Sequence, residues 1–194
     1  MENTKSKPKI INIFLSFIIV LLSFVICLKI NFAKVVVNGS SMHPTLVGNY
    51  KDGYEFGYTD RFIFKITGLD RYDIVVIRKE SNELWIKRLI GMPNEKIEIK
   101  EGLVYINDEV LESDIFCDEL ILDPGIASSP IYLGEDEYFV MGDNRNHSTD
   151  SRSNKLGVVK YKDIFGHAFI SRGYCSDTTC GIVDSRHSYE VKGW

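Results

Sequence analysis

Three short segments hold the residue types that can do chemistry together. The first, Asn38-Gly39-Ser40-Ser41-Met42-His43-Pro44-Thr45-Leu46, sets two hydroxyls beside a glycine and just ahead of a proline. Glycine permits an irregular backbone and proline restricts its neighbour, so a hydroxyl and nearby N–H groups can face outward. Such a serine is a candidate nucleophile, although an ordinary polar loop has the same composition. The second is Leu84-Trp85-Ile86-Lys87-Arg88-Leu89-Ile90-Gly91-Met92-Pro93. Alternate residues of a strand share a face, which puts Lys87 with Trp85 and Leu89, and Arg88 with Ile86 and Ile90. Desolvation among apolar neighbours disfavours an ammonium. A fall in its pKa from about 10.4 to about 8 corresponds to roughly 3 kcal/mol. The neutral amine can then take a proton from a serine hydroxyl. The competing reading is an edge-strand lysine that lays its stem on apolar surface and keeps its charge in water. The third segment runs from Phe139 to Arg152 and crowds polar groups into a loop after an apolar strand. It reads as an Asx-type turn in which Asp150 and Arg152 can pair and Ser148 can orient a neighbouring amine.

The elements that must position these segments read as strands. Short β-branched bursts at Val35–Val37, Phe62–Phe64, Ile74–Ile77 and Leu84–Ile86 are each bounded by Gly, Asp or Asn. Ile97–Lys100 and Leu103–Ile106 form a hairpin turning at Glu101-Gly102, and Asn107-Asp108 starts the next turn. Tyr138–Met141 and Ala168–Ile170 complete the set. No stretch of the body keeps a helical apolar period for three turns, so a mostly β, antiparallel domain is expected over 34–172. Residues 112–130 and 142–156 read as loops, and 173–194 as a polar tail without assigned structure.

Ahead of this body, Ile10 to Leu28 carries no charge. As a helix rising about 1.5 Å per residue it is close to the thickness of a bilayer's hydrocarbon. A cleavable signal would be shorter and end in small residues. Lys29, Ile30, Asn31 and Phe32 follow instead, which favours a permanent transmembrane anchor over 10–30. Lys5, Lys7 and Lys9 precede the span and Lys29 and Lys34 follow it. That bias leans residues 1–9 towards the cytoplasm and the body outside. Residues 1–34 hold five of the chain's 23 Lys/Arg and one of its 27 Asp/Glu, leaving 18 basic against 26 acidic residues in the body. So acidic a body argues against nucleic acid as a partner, because phosphate binding needs clustered cations. The four cysteines, Cys27, Cys117, Cys175 and Cys180, contain no C-x-x-C and make a poor disulfide framework. At most Cys175 and Cys180 close one small loop.

In this order behind one span, Ser41-Met42-x-Pro44-Thr45-Leu46, Lys87-Arg88-x-x-Gly91-x-Pro93 and Gly142-Asp143-Asn144-x-x-x-Ser148-x-Asp150-Ser151-Arg152 resemble the type I signal peptidases. The similarity is to the short, single-span bacterial form and runs to about Ile170. It implies a signal-peptidase-like antiparallel β catalytic domain in the bacterial plasma membrane. It also implies a serine endopeptidase in which Ser41 is the nucleophile and Lys87 the general base, a variant of the triad logic without histidine. Ser148 would orient the lysine, and Asp150 and Arg152 would support the loop with Gly142, Asp143 and Asn144. The Ser41 N–H would serve the oxyanion hole, with Gly39 where some members carry a serine. Met42 would line the first substrate pocket. The implied partners are preproteins bearing signal peptides and the lipid bilayer, and no metal or organic cofactor is required. The second motif usually continues Pro-Gly-Asp but here reads Pro93-Asn94-Glu95, and His147 stands where asparagine is frequent.

Several rivals share parts of this pattern. Self-cleaving repressors share the dyad but carry a DNA-binding domain and no span. A processing peptidase dedicated to pilus or conjugation proteins would differ only in pocket shape. A hydrolase built on His147 or His167 is a further reading, and a membrane-anchored β module that binds without catalysis is the alternative from another class.

Overall fold

The computed structural model describes residues 7–46, 48, 54–112, 119–175 and 180–182. Residues 1–6, Cys117 and the tail beyond Ile182 lie outside the described residues. One long helix, α1 (Lys7–Asn31), opens the chain. Its Ile11–Asn31 portion is long and apolar enough to cross a membrane, and its side chains are not buried against the body. The two serines within it are satisfied locally: Ser16 Oγ donates to the Asn12 carbonyl at 2.9 Å and Ser23 Oγ to that of Ile19 at 2.8 Å. Such internal bonds are what a hydroxyl needs where water is absent.

The body is built from strands β1 (Phe32–Val36), β2 (Tyr54–Asp60), β3 (Ile74–Arg78), β4 (Leu84–Gly91), β5 (Lys96–Lys100), β6 (Leu103–Ile106), β7 (Glu109–Val110), β8 (Ile131–Tyr132), β9 (Glu137–Met141), β10 (Val159–Lys160), β11 (Ile164–Cys175) and β12 (Cys180–Ile182). A short α-helical turn, α2 (Phe64–Thr67), and 3-10 turns at Gly125–Ser128, Arg145–His147 and Tyr161–Asp163 interrupt them. The larger sheet runs β1-β2-β11-β3-β4-β9-β10, with β12 added to β11, and the smaller runs β7-β6-β5-β8. Every described pairing is antiparallel. The hairpin expected at Glu101-Gly102 forms, with φ of 52° and 79°, and Asn107-Asp108 turns β6 into β7 with φ of 51° and 73°. Both residues of each turn lie in the left-handed region, as tight two-residue hairpins require.

One expected strand is not one. Phe62 and Ile63 form a turn and Phe64 opens α2, because Asp60 Oδ1 accepts the N–H groups of Phe62 (2.9 Å) and Ile63 (2.6 Å). That side chain supplies the acceptor a strand neighbour would otherwise give, and so ends β2 and starts a helical turn. The tail, left without structure from sequence, continues β11 as far as Cys175 and returns as β12, with Cys175 opposite Cys180 in the register.

Both faces of the larger sheet are covered around β4 and β9. Phe139 and Met141 pack with Ile90, Ile97 and Val104 on one side. Tyr138 and Val140 pack with Leu89, Val75 and Phe64 on the other. This strict alternation explains why these strands read as unbroken apolar runs.

Candidate active site

The first chemical segment follows β1 directly, so the strand that leaves α1 delivers Ser41 to the middle of the body. Val37, Met42 and Leu46 form a small buried cluster with Ile74 and Ile86 packed against it. This apolar clamp fixes the loop from beneath and leaves Ser41 half-buried at its surface. Gly39 has φ of +88°, a conformation in which a Cβ is strained.

Lys87 lies midway along β4, paired with Val75 of β3. It is only 4% exposed, and its Nζ hydrogen-bonds Ser41 Oγ at 2.7 Å. Trp85 shares its face, with Nζ 5.9 Å from the ring centre. Burial lowers the amine's pKa from 10.5 to about 8, against the opposing pull of Asp150 and Asp143 and with the help of Arg152. Burial is the largest of these influences, and each carboxylate is also held by an arginine. Arg152 grips Asp150 through Nε–Oδ1 and Nη2–Oδ2 bonds, both 2.9 Å. Arg88 grips Asp143 through Nε–Oδ1 at 2.7 Å and Nη2–Oδ2 at 2.5 Å. These forked pairs are the strong form of charge-assisted hydrogen bond.

The third segment is tied to the first by its backbone. The Asn144 N–H donates to the Ser41 carbonyl and its Nδ2 to the Ser40 carbonyl, each at 3.1 Å. The Gly142 N–H donates to Asp150 Oδ2 at 3.1 Å. Gly142 has no room for a side chain: a Cβ there would sit 2.3 Å from both the Ser41 carbonyl oxygen and Ser148 Oγ. Among the described residues Ser148 Oγ is buried without a hydrogen-bond partner, so in this structure it is not bonded to Lys87.

Ser41, Lys87, Gly39 and Met42 therefore line one cleft of about 340 Å³. Gly142, Asp143, Asn144, Asp150 and Arg152 belong to the loop whose Asn144 is hydrogen-bonded to the Ser40 and Ser41 carbonyls. His147 and Thr149 reach the rim, as do Leu84 and Trp85. The Arg88–Asp143 pair and the carbonyl of Ser40 were not foreseen from sequence. The signal for the pair was an arginine on a strand position flanked by Ile86 and Ile90, where a charge needs a buried partner.

A hydroxyl held against a buried, partly deprotonated amine is suited to hydrolysis through a serine ester, and comparison with known proteins gives the same class. The family model described as Signal peptidase, peptidase S26 matches residues 10–172. Signal peptidase I U of Bacillus subtilis strain 168 is 34% identical over 169 residues, covering 84% of this chain and 87% of its own. Signal peptidase I P of Bacillus subtilis subsp. natto is 36% identical over 175 residues, covering 85% and 90%. A solved signal peptidase I from Enterococcus faecalis V583 is 32% identical, with a TM-score of 0.42, over 51% of this chain and 95% of that one. The chain belongs to the signal peptidase, peptidase S26 family and is a serine endopeptidase.

Proposed function

We propose that this chain removes N-terminal signal peptides from preproteins at the outer face of a membrane crossed by α1, with residues 1–9 in the cytoplasm and the β body outside. Ser41 is the nucleophile and Lys87 the general base. The observation that carries this reading is the 2.7 Å contact between Lys87 Nζ and Ser41 Oγ on an amine whose pKa lies at about 8. The neutral amine accepts the hydroxyl proton as Oγ bonds to the scissile carbonyl carbon. The resulting lysinium returns that proton to the leaving amine as the C–N bond breaks, and water then cleaves the ester by the same base. The Ser41 N–H, in the loop that Gly39 bends, donates to the developing oxyanion. Ser148 steadies the lysine once its hydroxyl rotates towards the amine, and Asp150 and Arg152 hold the loop that carries it.

The extended substrate adds as a strand beside β1. Its small side chains before the scissile bond enter the cleft over Met42, whose burial against Val37 and Leu46 leaves only a shallow floor. Cleavage of a model preprotein by the solubilised chain, with product masses measured, tests the proposal beside Ser41→Ala and Lys87→Ala. A single cut after small residues, lost in both variants, is expected. A cut that survives Ser41→Ala refutes the mechanism. No cut by the wild type on any of several preproteins, in detergent or lipid, refutes the function.

A further inference from the structure

A second concentration of charge lies away from the cleft, at the foot of α1. The Arg61 N–H donates to the Asn31 carbonyl at 2.9 Å and its Nη1 to that of Ile30 at 3.4 Å. The turn after β2 is thereby fixed to the last residues of the helix. Around it a recess of about 220 Å³ is lined by Arg61, Lys65, Arg78 and Lys162 with a single acid, Asp163. The guanidinium groups of Arg61 and Arg78 lie 4.8 and 4.4 Å from the centre of the Phe165 ring. Among the described residues none of the four cations has a carboxylate partner within ion-pair distance. In a body holding 18 basic against 26 acidic residues, such a cluster runs against the overall charge.

Apolar side chains stand beside it. Phe62, Ile63 and Ile66 are 60%, 41% and 84% exposed, presented outward by the turn that Asp60 caps. Cations beside an exposed apolar knob, next to the end of a membrane-length helix, match the two layers of a lipid surface: phosphate above and acyl chain below.

We propose that Arg61, Lys65, Arg78 and Lys162 bind the phosphodiester headgroup of an anionic phospholipid, while Phe62, Ile63 and Ile66 enter the acyl boundary. The inference rests on α1 crossing a bilayer. It gives that anchor a second point of attachment, and β1 leads from there in five residues to Val36 at the edge of the cleft. Two attachments fix the tilt of the body on the membrane where one helix leaves it free to swivel, and so set the height at which the cleft meets a substrate.

The test uses the full chain and a readout independent of peptidase activity. Native mass spectrometry from detergent counts retained phosphatidylglycerol or phosphatidylcholine for the wild type and for Lys65→Gln/Arg78→Gln/Lys162→Gln, with Arg61 kept because it bonds to α1. Each basic residue near an anionic surface favours binding by about fivefold. The wild type should therefore retain phosphatidylglycerol in preference by tenfold or more, and the triple variant, with unchanged melting temperature, should lose that preference. Phe62→Ser/Ile66→Ser should raise hydrogen exchange over 61–66 in phosphatidylglycerol vesicles. Equal retention of the two lipids by the wild type, or a preference unchanged in the triple variant, overturns the proposal. Displacement of the lipid by soluble glycerol phosphate also overturns it, because the recess would then hold a free phosphate ester. Flotation with phosphatidylcholine vesicles separates the premise: a chain that fails to float defeats the membrane reading itself, whereas one that floats without lipid preference defeats only the site.

Discussion

Replacing Lys87 by methionine should make the protein more stable while abolishing its activity. The wild-type amine titrates at about 8 in the fold and at 10.5 ordinarily. Below pH 8 it is protonated both folded and unfolded, and folding carries the whole cost of burying the charge. That cost is about 3 kcal/mol, at 1.36 kcal/mol per unit of pKa. Above about 10.5 the amine is neutral in both states and the cost vanishes. Between these limits the unfolded chain binds more protons, so wild-type stability rises with pH. Methionine fills nearly the same volume without charge, and forfeits only the hydrogen bond to Ser41, worth about 1 kcal/mol. The variant should thus gain about 2 kcal/mol at pH 7, or about 4–8 °C in melting temperature for a chain of this size. At pH 10 the residual cost is below about 1 kcal/mol and the gain should be near zero. Thermal melts of the full chain in detergent at pH 7 and 10, wild type beside variant, measure both values. A variant no more stable than the wild type at pH 7, or a gain that persists undiminished at pH 10, refutes the account of Lys87 as a buried amine of lowered pKa.

Two further outcomes follow from the same geometry. The rate constant kcat/KM should rise with pH along a single limb near pH 8, because about one-tenth of the amine is neutral at pH 7 against a few parts in ten thousand for an unshifted lysine; a profile flat from about pH 6 to 10 contradicts this. Gly142→Ala should cut kcat by about 10²-fold with little change in KM, since the new Cβ pushes against the Ser41 carbonyl; an unimpaired variant would show that the two loops are not held in contact.

Which parts were legible in the sequence follows from where their determinants lie. Ser41, Lys87 and the third loop each sit in a short motif, so their order along the chain carried the resemblance before any geometry. The hairpins at Glu101-Gly102 and Asn107-Asp108 were equally local, since residues that accept positive φ turn strands wherever they stand. β2 was missed because its alternating positions are tyrosine and phenylalanine (Tyr54, Phe56 and Tyr58) and not a β-branched burst, and its pairing with β1 and β11 is a property of the sheet. Phe62–Phe64 looked like a strand by apolar content, yet the residue that decided its shape was the polar Asp60 before it. The Arg88–Asp143 pair depends on the register that sets Arg88 opposite Met141, two residues before the aspartate, and only tertiary structure fixes that register.

The two forked ion pairs explain how a lysine can remain partly neutral among carboxylates. The third loop needs acceptors to fasten its own backbone: Asp150 takes the N–H of Gly142 and that of Arg152 at 3.3 Å. Left unpaired, those buried charges would favour the lysinium and return its pKa towards 10.5. Arg152 opposes their pull on the amine, and Arg88, in contact with Asp143, brings a positive charge beside the second carboxylate, so that desolvation outweighs both. On this reasoning Arg88→Met does double damage. It leaves Asp143, whose side chain is wholly buried, without a partner, which costs about 3–5 kcal/mol. It also moves the activity limb to higher pH, because an uncancelled carboxylate now faces the amine. Adding Asp143→Asn should restore most of the stability and return the limb to near 8. A purely structural pair would recover stability in the double variant without ever having moved the pH profile, and that result would remove the arginines from any part in setting the base.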